Sequence, residues 1–245
     1  PQAAECLKQV LENGVAQVIA SEPATIPLLQ HFNGVYLQDS TTISLPDELA
    51  EVWPGGGSNH NHPNKAAIKV QVRWEMSRGV ISHLELQAGR NHDKSSLLQK
   101  EVLPQGALRL ADLGYFSLSV LKELAAEGVY WLTRLQARCV VFDKEGRRWD
   151  LAKLLKAQHS HKDKVDIPIF IGIEEGIPCR LLAVKVPPEI ANERRRKIKK
   201  EARRRGQTVS KARLNLANWT ITVTNAPLEL LTLEEAMVLL RLRWQ

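Results

Sequence analysis

The sequence predicts an α/β fold: a mixed sheet flanked by helices, with a mainly β insertion before the last helix. Three observations predict it. The early strand candidates follow one another directly, the later ones alternate with helical segments, and a stretch rich in Gly, Pro and charge interrupts the alternation. The 245 residues suffice for one large domain, or for a domain with an inserted module. Hydrophobic residues make up 44% and charged residues 25%, enough apolar material for a substantial core, which argues against wholesale disorder. No apolar run reaches the roughly 20 residues that span a bilayer, so no membrane partner is expected. No basic start followed by an apolar block marks a signal peptide. The chain opens on Pro1 rather than Met, and the expectation is that it begins inside a longer protein.

The elements follow in order. Leu7, Val10, Leu11 and Val15 lie at helical spacing within the first thirty residues, and Gly34 breaks that pattern. Residues 35–43, rich in β-branched and aromatic side chains, read as a buried strand. Residues 54–65, with three consecutive glycines and two Asn-His pairs, read as a loop. Residues 67–76 alternate, with Ile68, Val70, Val72 and Trp74 on one face, and residues 80–86 alternate again; Ser77-Arg78-Gly79 between them fits a hairpin turn. Asp93 is expected to cap a short helix through about Val102. Residues 107–112 form a fourth short strand. Ser117 caps a helix that stops at Gly128, and residues 129–134 form a fifth strand.

From Cys139 to about Asn225 strand candidates at 167–173, 180–186 and 219–224 flank a basic run. Thr232-Leu233-Glu234-Glu235 is a capping box opening a final helix with Leu233, Ala236, Leu240 and Trp244 on its apolar face, and no stop signal precedes Gln245. The expected organisation is therefore a core over 1–136, an insertion over 137–226, and the start of a C-terminal helix over 227–245.

Charge is unevenly distributed. Net charge is +7, and residues 193–213 hold eleven Lys or Arg against two Glu, so the rest of the chain is mildly acidic. An acidic body with one intensely basic segment points to a polyanion met at a defined place. The clusters Arg194, Arg195, Arg196 and Arg203, Arg204, Arg205 are read as lacking the acidic partners, four residues away, of a merely solubilising face, which favours DNA contact over a solvated helix. Cys6, Cys139 and Cys179 are odd in number and far apart, which offers neither a disulfide framework nor a zinc pattern. The pairs His60/His62 and His159/His161 have no third ligand at zinc spacing and read as polar loops. Gly55–Gly57 is not a phosphate-binding loop, since no Gly-Lys-Ser/Thr follows.

Two acids stand apart. Asp39 lies towards the end of the first strand and Asp112 ends the fourth, just before Gly114. A carboxylate on a buried strand is costly unless a cation neutralises it. Two brought together would repel unless a hard divalent cation with oxygen ligands sat between them. The alternative is a pair of ordinary strand-end residues bonded to local backbone.

Motifs decide between these. Leu37-Gln38-Asp39-Ser40-Thr41-Thr42 resembles the first-aspartate motif of bacterial insertion-sequence transposases with a DDE active site, more narrowly the IS-four type. Leu110-Ala111-Asp112-Leu113-Gly114-Tyr115-Phe116 is similar to that group's second motif. Leu240-Arg241-Leu242-Arg243-Trp244-Gln245 resembles the start of its third, in which Tyr, Arg, Glu and Lys recur along one helix. The resemblance spans essentially the whole chain. It implies an RNase H-like core, Asp39 and Asp112 as catalytic metal ligands for Mg²⁺ or Mn²⁺, two ions in number, and Arg243 as a contact to DNA phosphate. It implies double-stranded DNA as partner, both transposon ends and target, with a homodimer in the DNA complex and a cytoplasmic, nucleoid-associated bacterial protein. The motif glutamate would fall four positions after Arg243, beyond Gln245, so this piece alone is expected not to cleave DNA. Leu240 stands where the family usually has tyrosine. The competing expectations are a DNA-binding protein derived from such an enzyme that no longer cuts, and a non-transposase nuclease on the same core.

Overall fold

A computed structural model describes residues 27–56, 65–136, 138–158 and 163–242. Most of the expected N-terminal helix, both His-x-His pairs, Gly57, Cys6, Arg243 and Trp244 lie outside these residues. The chain divides into two compact units, the first running to Trp131 and resuming at Glu234, the second covering Leu132–Leu233. Among the described residues no helix is long and apolar enough to cross a membrane.

In the first unit, β1 (Val35–Leu45), β2 (Ala66–Glu75) and β3 (Val80–Ala88) form an antiparallel meander. Gly79, at φ 66°, supplies the left-handed residue of the hairpin between β2 and β3. The other edge of β1 pairs parallel with β4 (Leu108–Ala111), which makes the sheet mixed. The crossover helix α1 (Leu118–Ala126) ends before Gly128, at φ 72°. Helix α1 packs back onto β5 (Tyr130–Arg134), where the Trp131 indole donates to the Leu121 carbonyl at 3.1 Å. Val35, Leu108, Leu121 and Trp131 are almost wholly excluded from solvent, each such side chain worth about 1.5–3 kcal/mol of burial.

The second unit holds strand pairs β10–β9, β9–β8, β8–β6 and β6–β7, with β10 (Trp219–Thr224) antiparallel to residues 132–134 of β5. Here β6 is Val141–Phe142, β7 Arg148–Trp149, β8 Lys164–Ile171 and β9 Ile177–Lys185. Leu155, Val165, Ala183 and Trp219 form its core cluster, with Leu151, Ile167, Leu216 and Ile221 packed around them.

Three expectations need correction and one needs detail. Asp93 does not begin an α-helix. Residues 93–99 make two short 3-10 turns, Asp93–Ser95 and Leu97–Gln99, separated by an extended Ser96 whose hydroxyl donates to Glu85 at 2.6 Å. The alternation of β2 is present, but its more deeply buried face is the polar one: Gln71, Arg73 and Glu75 are buried while Trp74 is 37% exposed. The segment between β5 and α5 (Leu233–Leu242) is not mainly β, because α2 (Leu151–Gln158), α3 (Pro188–Arg204) and α4 (Lys211–Leu216) accompany its strands. A highly charged sequence such as α3 still makes a 17-residue helix, opened by Pro188 at its first turn and seated on buried Ala191 and Ala202. Finally, the second arginine cluster has an acidic partner that it was read as lacking: Glu201 pairs with Arg205 at 2.8 Å and Arg204 at 3.6 Å, while Glu193 pairs with Lys197 at 2.7 Å, outside both clusters.

Candidate active site

The parallel pairing of β1 with β4 sets Leu37 opposite Leu110 and Gln38 opposite Ala111. The paired register ends there; Asp39 and Asp112 are the next residue on each chain, and the Asp112 backbone is still extended at φ −81°, ψ 173°. Side chains alternate along a strand, so both aspartates fall on the face that Leu37 and Leu110 occupy. Neighbouring strands are about 4.8 Å apart, which sets the scale of the gap between the two backbones. Both residues are half-buried; Asp112 follows the last residue of β4, whereas Asp39, expected towards the end of its strand, lies in the middle of β1 because that strand runs on to Leu45. The Ser40 amide donates to Asp39 Oδ1 at 2.8 Å and so fixes that carboxylate's orientation from its own strand.

The opposite face of the same strands is polar and closely hydrogen-bonded. Asp93 Oδ1 accepts from Ser40 Oγ at 2.9 Å, Lys69 Nζ at 3.0 Å and Gln71 Nε2 at 3.3 Å. The Tyr115 hydroxyl donates to Gln71 Oε1, and Gln99 Nε2 donates to the Tyr115 carbonyl at 3.2 Å. Burial raises the Tyr115 phenol above its ordinary pKa; a hydrogen bond with Ser40 opposes the rise, and the Asp93 and Asp39 carboxylates add to it. Arg109 is buried against Gln38 and Gln99. Its burial, with the Arg73 charge close by, lowers its pKa to about 9, so it keeps its proton at neutral pH.

Two oxygen-bearing carboxylates are the donor type that hard divalent cations take. They are not a complete set: among the described residues no group of three or more His, Cys, Asp or Glu is placed to hold a metal. Leu240 is half-buried on α5, and Arg243 lies just past the described part of that helix.

The six arginines named as DNA contacts separate into two kinds. Arg194 donates to the Trp219 carbonyl at 2.9 Å and to Thr220 Oγ1 at 3.1 Å; Arg195 bonds Asn192 at 2.7 Å and also Asn218. Arg196, Arg203, Arg204 and Arg205 are exposed, the last two sharing Glu201.

Residues that sequence reasoning missed are Asp93, Lys69, Gln71 and Tyr115. One signal was available. Gly114 stands two residues after Asp112 in the sequence; only the structure shows that it has no positive φ and that a Cβ there would meet Asp93 Oδ2.

A mixed sheet flanked by helices is the architecture of the RNase H-like class, and comparison of the sequence places the chain more narrowly. Residues 30–245 match the family described as transposase DDE domain, and the chain belongs to that family. It is 27% identical over 234 residues to the transposase for insertion sequence element IS231E of Bacillus thuringiensis subsp. finitimus, covering 89% of this chain and 48% of that protein. It is 24% identical over 237 residues to the transposase for IS1151 of Clostridium perfringens, covering 89% and 49%. The chain thus spans about half the length of the curated relatives it matches. Among solved structures, a piggyBac transposase in a synaptic complex with hairpin DNA aligns over 78% of this chain and 33% of its own, at 14% identity and a TM-score of 0.41. A likeness that distant adds nothing to the assignment.

Proposed function

We propose that this chain is most of the catalytic domain of a DNA transposase that cleaves and joins phosphodiester bonds at the ends of a mobile element. Asp39 and Asp112 would hold divalent metal, Mg²⁺ or Mn²⁺ and two ions, with a third carboxylate supplied from outside this sequence. What supports the proposal is the β1–β4 register, whose last pair, Gln38 with Ala111, immediately precedes Asp39 and Asp112. The metal supplies activation of an attacking oxygen and neutralisation of charge on the phosphate. The chain's own residues supply the rest. The Ser40 amide orients the Asp39 carboxylate, and Arg243 together with the basic residues of α3 meets backbone phosphate. The second unit is an insertion into the catalytic domain in this proposal, and the working form is a homodimer on DNA in the bacterial cytoplasm.

The test uses full-length protein. Mn²⁺ binding is followed by the electron paramagnetic resonance of the free ion, and cleavage by nicking of a plasmid carrying the element's ends. Asp39→Asn and Asp112→Asn should each lower cleavage by more than about 100-fold, beyond the usual loss from an outer-shell change, and should weaken Mn²⁺ binding. Unchanged binding in both would remove the proposed site. Salt-sensitive DNA binding without cleavage by the parent would favour the alternative, a transposase-derived DNA-binding protein, for which Leu240 in place of the usual tyrosine is the motivating departure. The 245 residues alone should not nick DNA.

A further inference from the structure

We infer that Asp93 is a positioning residue for the Asp39–Asp112 pair, bracing both acid-bearing segments from the opposite face of the sheet. The inference rests on the proposed metal site. Asp93 follows β3 and has no place in either aspartate motif, yet its carboxylate touches both segments. On one side, Oδ1 accepts from Ser40 Oγ at 2.9 Å, and Ser40 is the residue whose amide holds Asp39 Oδ1 at 2.8 Å. On the other side, Oδ2 lies where a side chain on Gly114 would be: a Cβ built there would stand 2.5 Å from Oδ2 and 3.4 Å from the Asp93 Cβ and Cγ. Gly114 adopts no positive φ, so the close approach of this carboxylate, and not the backbone conformation, accounts for the glycine. Tyr115 adds a second tie, since its hydroxyl donates to Gln71, and Gln71 donates to Asp93 Oδ1 at 3.3 Å.

The Asp93 charge is already met. Lys69 Nζ is 3.0 Å away, and the two side chains are only 12% and 25% exposed. With three donors on Oδ1 and its place on the Gln71 face, Asp93 is a brace between Ser40 and the turn after Asp112 rather than a further ligand. Asp39 is held inside β1, which runs on to Leu45, so the separation of the two carboxylates depends on the Asp112 side, where β4 ends at Ala111, one residue earlier. Beyond that point the interstrand ladder no longer fixes the backbone. The wedge of Asp93 against Gly114 does so instead.

The experiment compares Asp93→Asn and Gly114→Ala with the parent in full-length protein, using Mn²⁺ affinity, circular dichroism and DNA affinity. Outer-shell partners of metal ligands typically contribute about 10–100-fold in affinity. Each variant should therefore raise the Mn²⁺ dissociation constant by about that factor, with the dichroism spectrum and DNA affinity unchanged. The double variant should be no worse than the weaker single one, because both act through a single contact. Should Asp93→Asn not fold, Ser40→Ala removes one donor without adding bulk and should give the same shift. Mn²⁺ affinity within twofold of the parent in Asp93→Asn, where Asp39→Asn loses binding, overturns the inference and leaves the metal site standing. If Asp39→Asn and Asp112→Asn both bind Mn²⁺ as the parent does, the metal site falls and the inference with it.

Discussion

The guanidinium of Arg194 donates to the carbonyl of Trp219 at 2.9 Å. It therefore ties α3 to the first residue of β10 instead of extending into solvent. Arg195, next along the helix, bonds Asn218 and Asn192. The basic helix thus has one side committed to the second unit and another that carries exposed charge.

Substitutions along α3 should accordingly separate by face. Arg196→Ser, Arg203→Ser and Arg204→Ser should weaken DNA binding and flatten its salt dependence, the slope of log K against log salt falling by about 0.9 for each phosphate no longer neutralised. Arg194→Ser should instead lower the thermal midpoint, because it removes charge-assisted hydrogen bonds worth about 1.5–3 kcal/mol. Fluorescence anisotropy across a salt series, paired with thermal melts, distinguishes the two. Equal loss of DNA affinity from both sets, with no change in melting, would refute the division.

Tyr115→Phe removes only a hydroxyl, but Gln71 is fully buried and loses the donor to its Oε1. An unsatisfied buried acceptor costs about 1–3 kcal/mol. Urea unfolding should show that loss as a lower midpoint at unchanged slope. An unaltered midpoint would mean that the Gln71 amide finds another partner.

Asp143 supports a pH prediction. Burial alone would raise its pKa. Hydrogen bonds from the Arg147 amide at 2.8 Å, the Arg147 guanidinium at 2.8 Å and the Glu145 amide at 3.1 Å outweigh burial and hold the carboxyl below its ordinary value. A depressed folded-state pKa means stability that is present above the unfolded value, near 3.8, and lost as pH falls through the lower folded value. The Trp149 indole donates to the same carboxylate at 3.2 Å and reports on it. Its N–H resonance should shift on acidification below about pH 4, and Asp143→Asn should remove that acid-linked change. A pH-independent resonance in the parent would contradict the assignment.

The sequence made much of this visible. Strand β10 runs over residues 219–224 as expected, the Gly79 hairpin joins β2 to β3, and Asp39 and Asp112 stood out as motif acids on separate core strands. That they would approach each other came from the motif resemblance; the β1–β4 register that runs up to them was not visible, because sequence alone does not give register. Which face of β2 is the more buried was not legible for a related reason. Alternation gives a period of two, and hydrophobicity ordinarily decides which half is inside. Here Gln71, Arg73 and Glu75 are inside because Tyr115, Leu98, Glu101 and the amides of Ser77 and Arg78 meet most of their polar atoms, the Arg73 Nε excepted. Those partners come from segments distant in the chain or from the turn geometry itself. Asp93 was read as a helix cap because a local rule was applied to a residue whose partners are 22 to 53 positions away.

The glutamines and arginines beneath the sheet set a different tolerance from that of an oily interior. Aliphatic side chains of similar volume can exchange at modest cost, whereas an amide accepts only a partner at the right angle and distance. Residues 38, 71, 99 and 109 are consequently locked as a set, and drift at any one of them requires compensating change in another. This part of the fold changes at lower cost in concerted steps than one residue at a time.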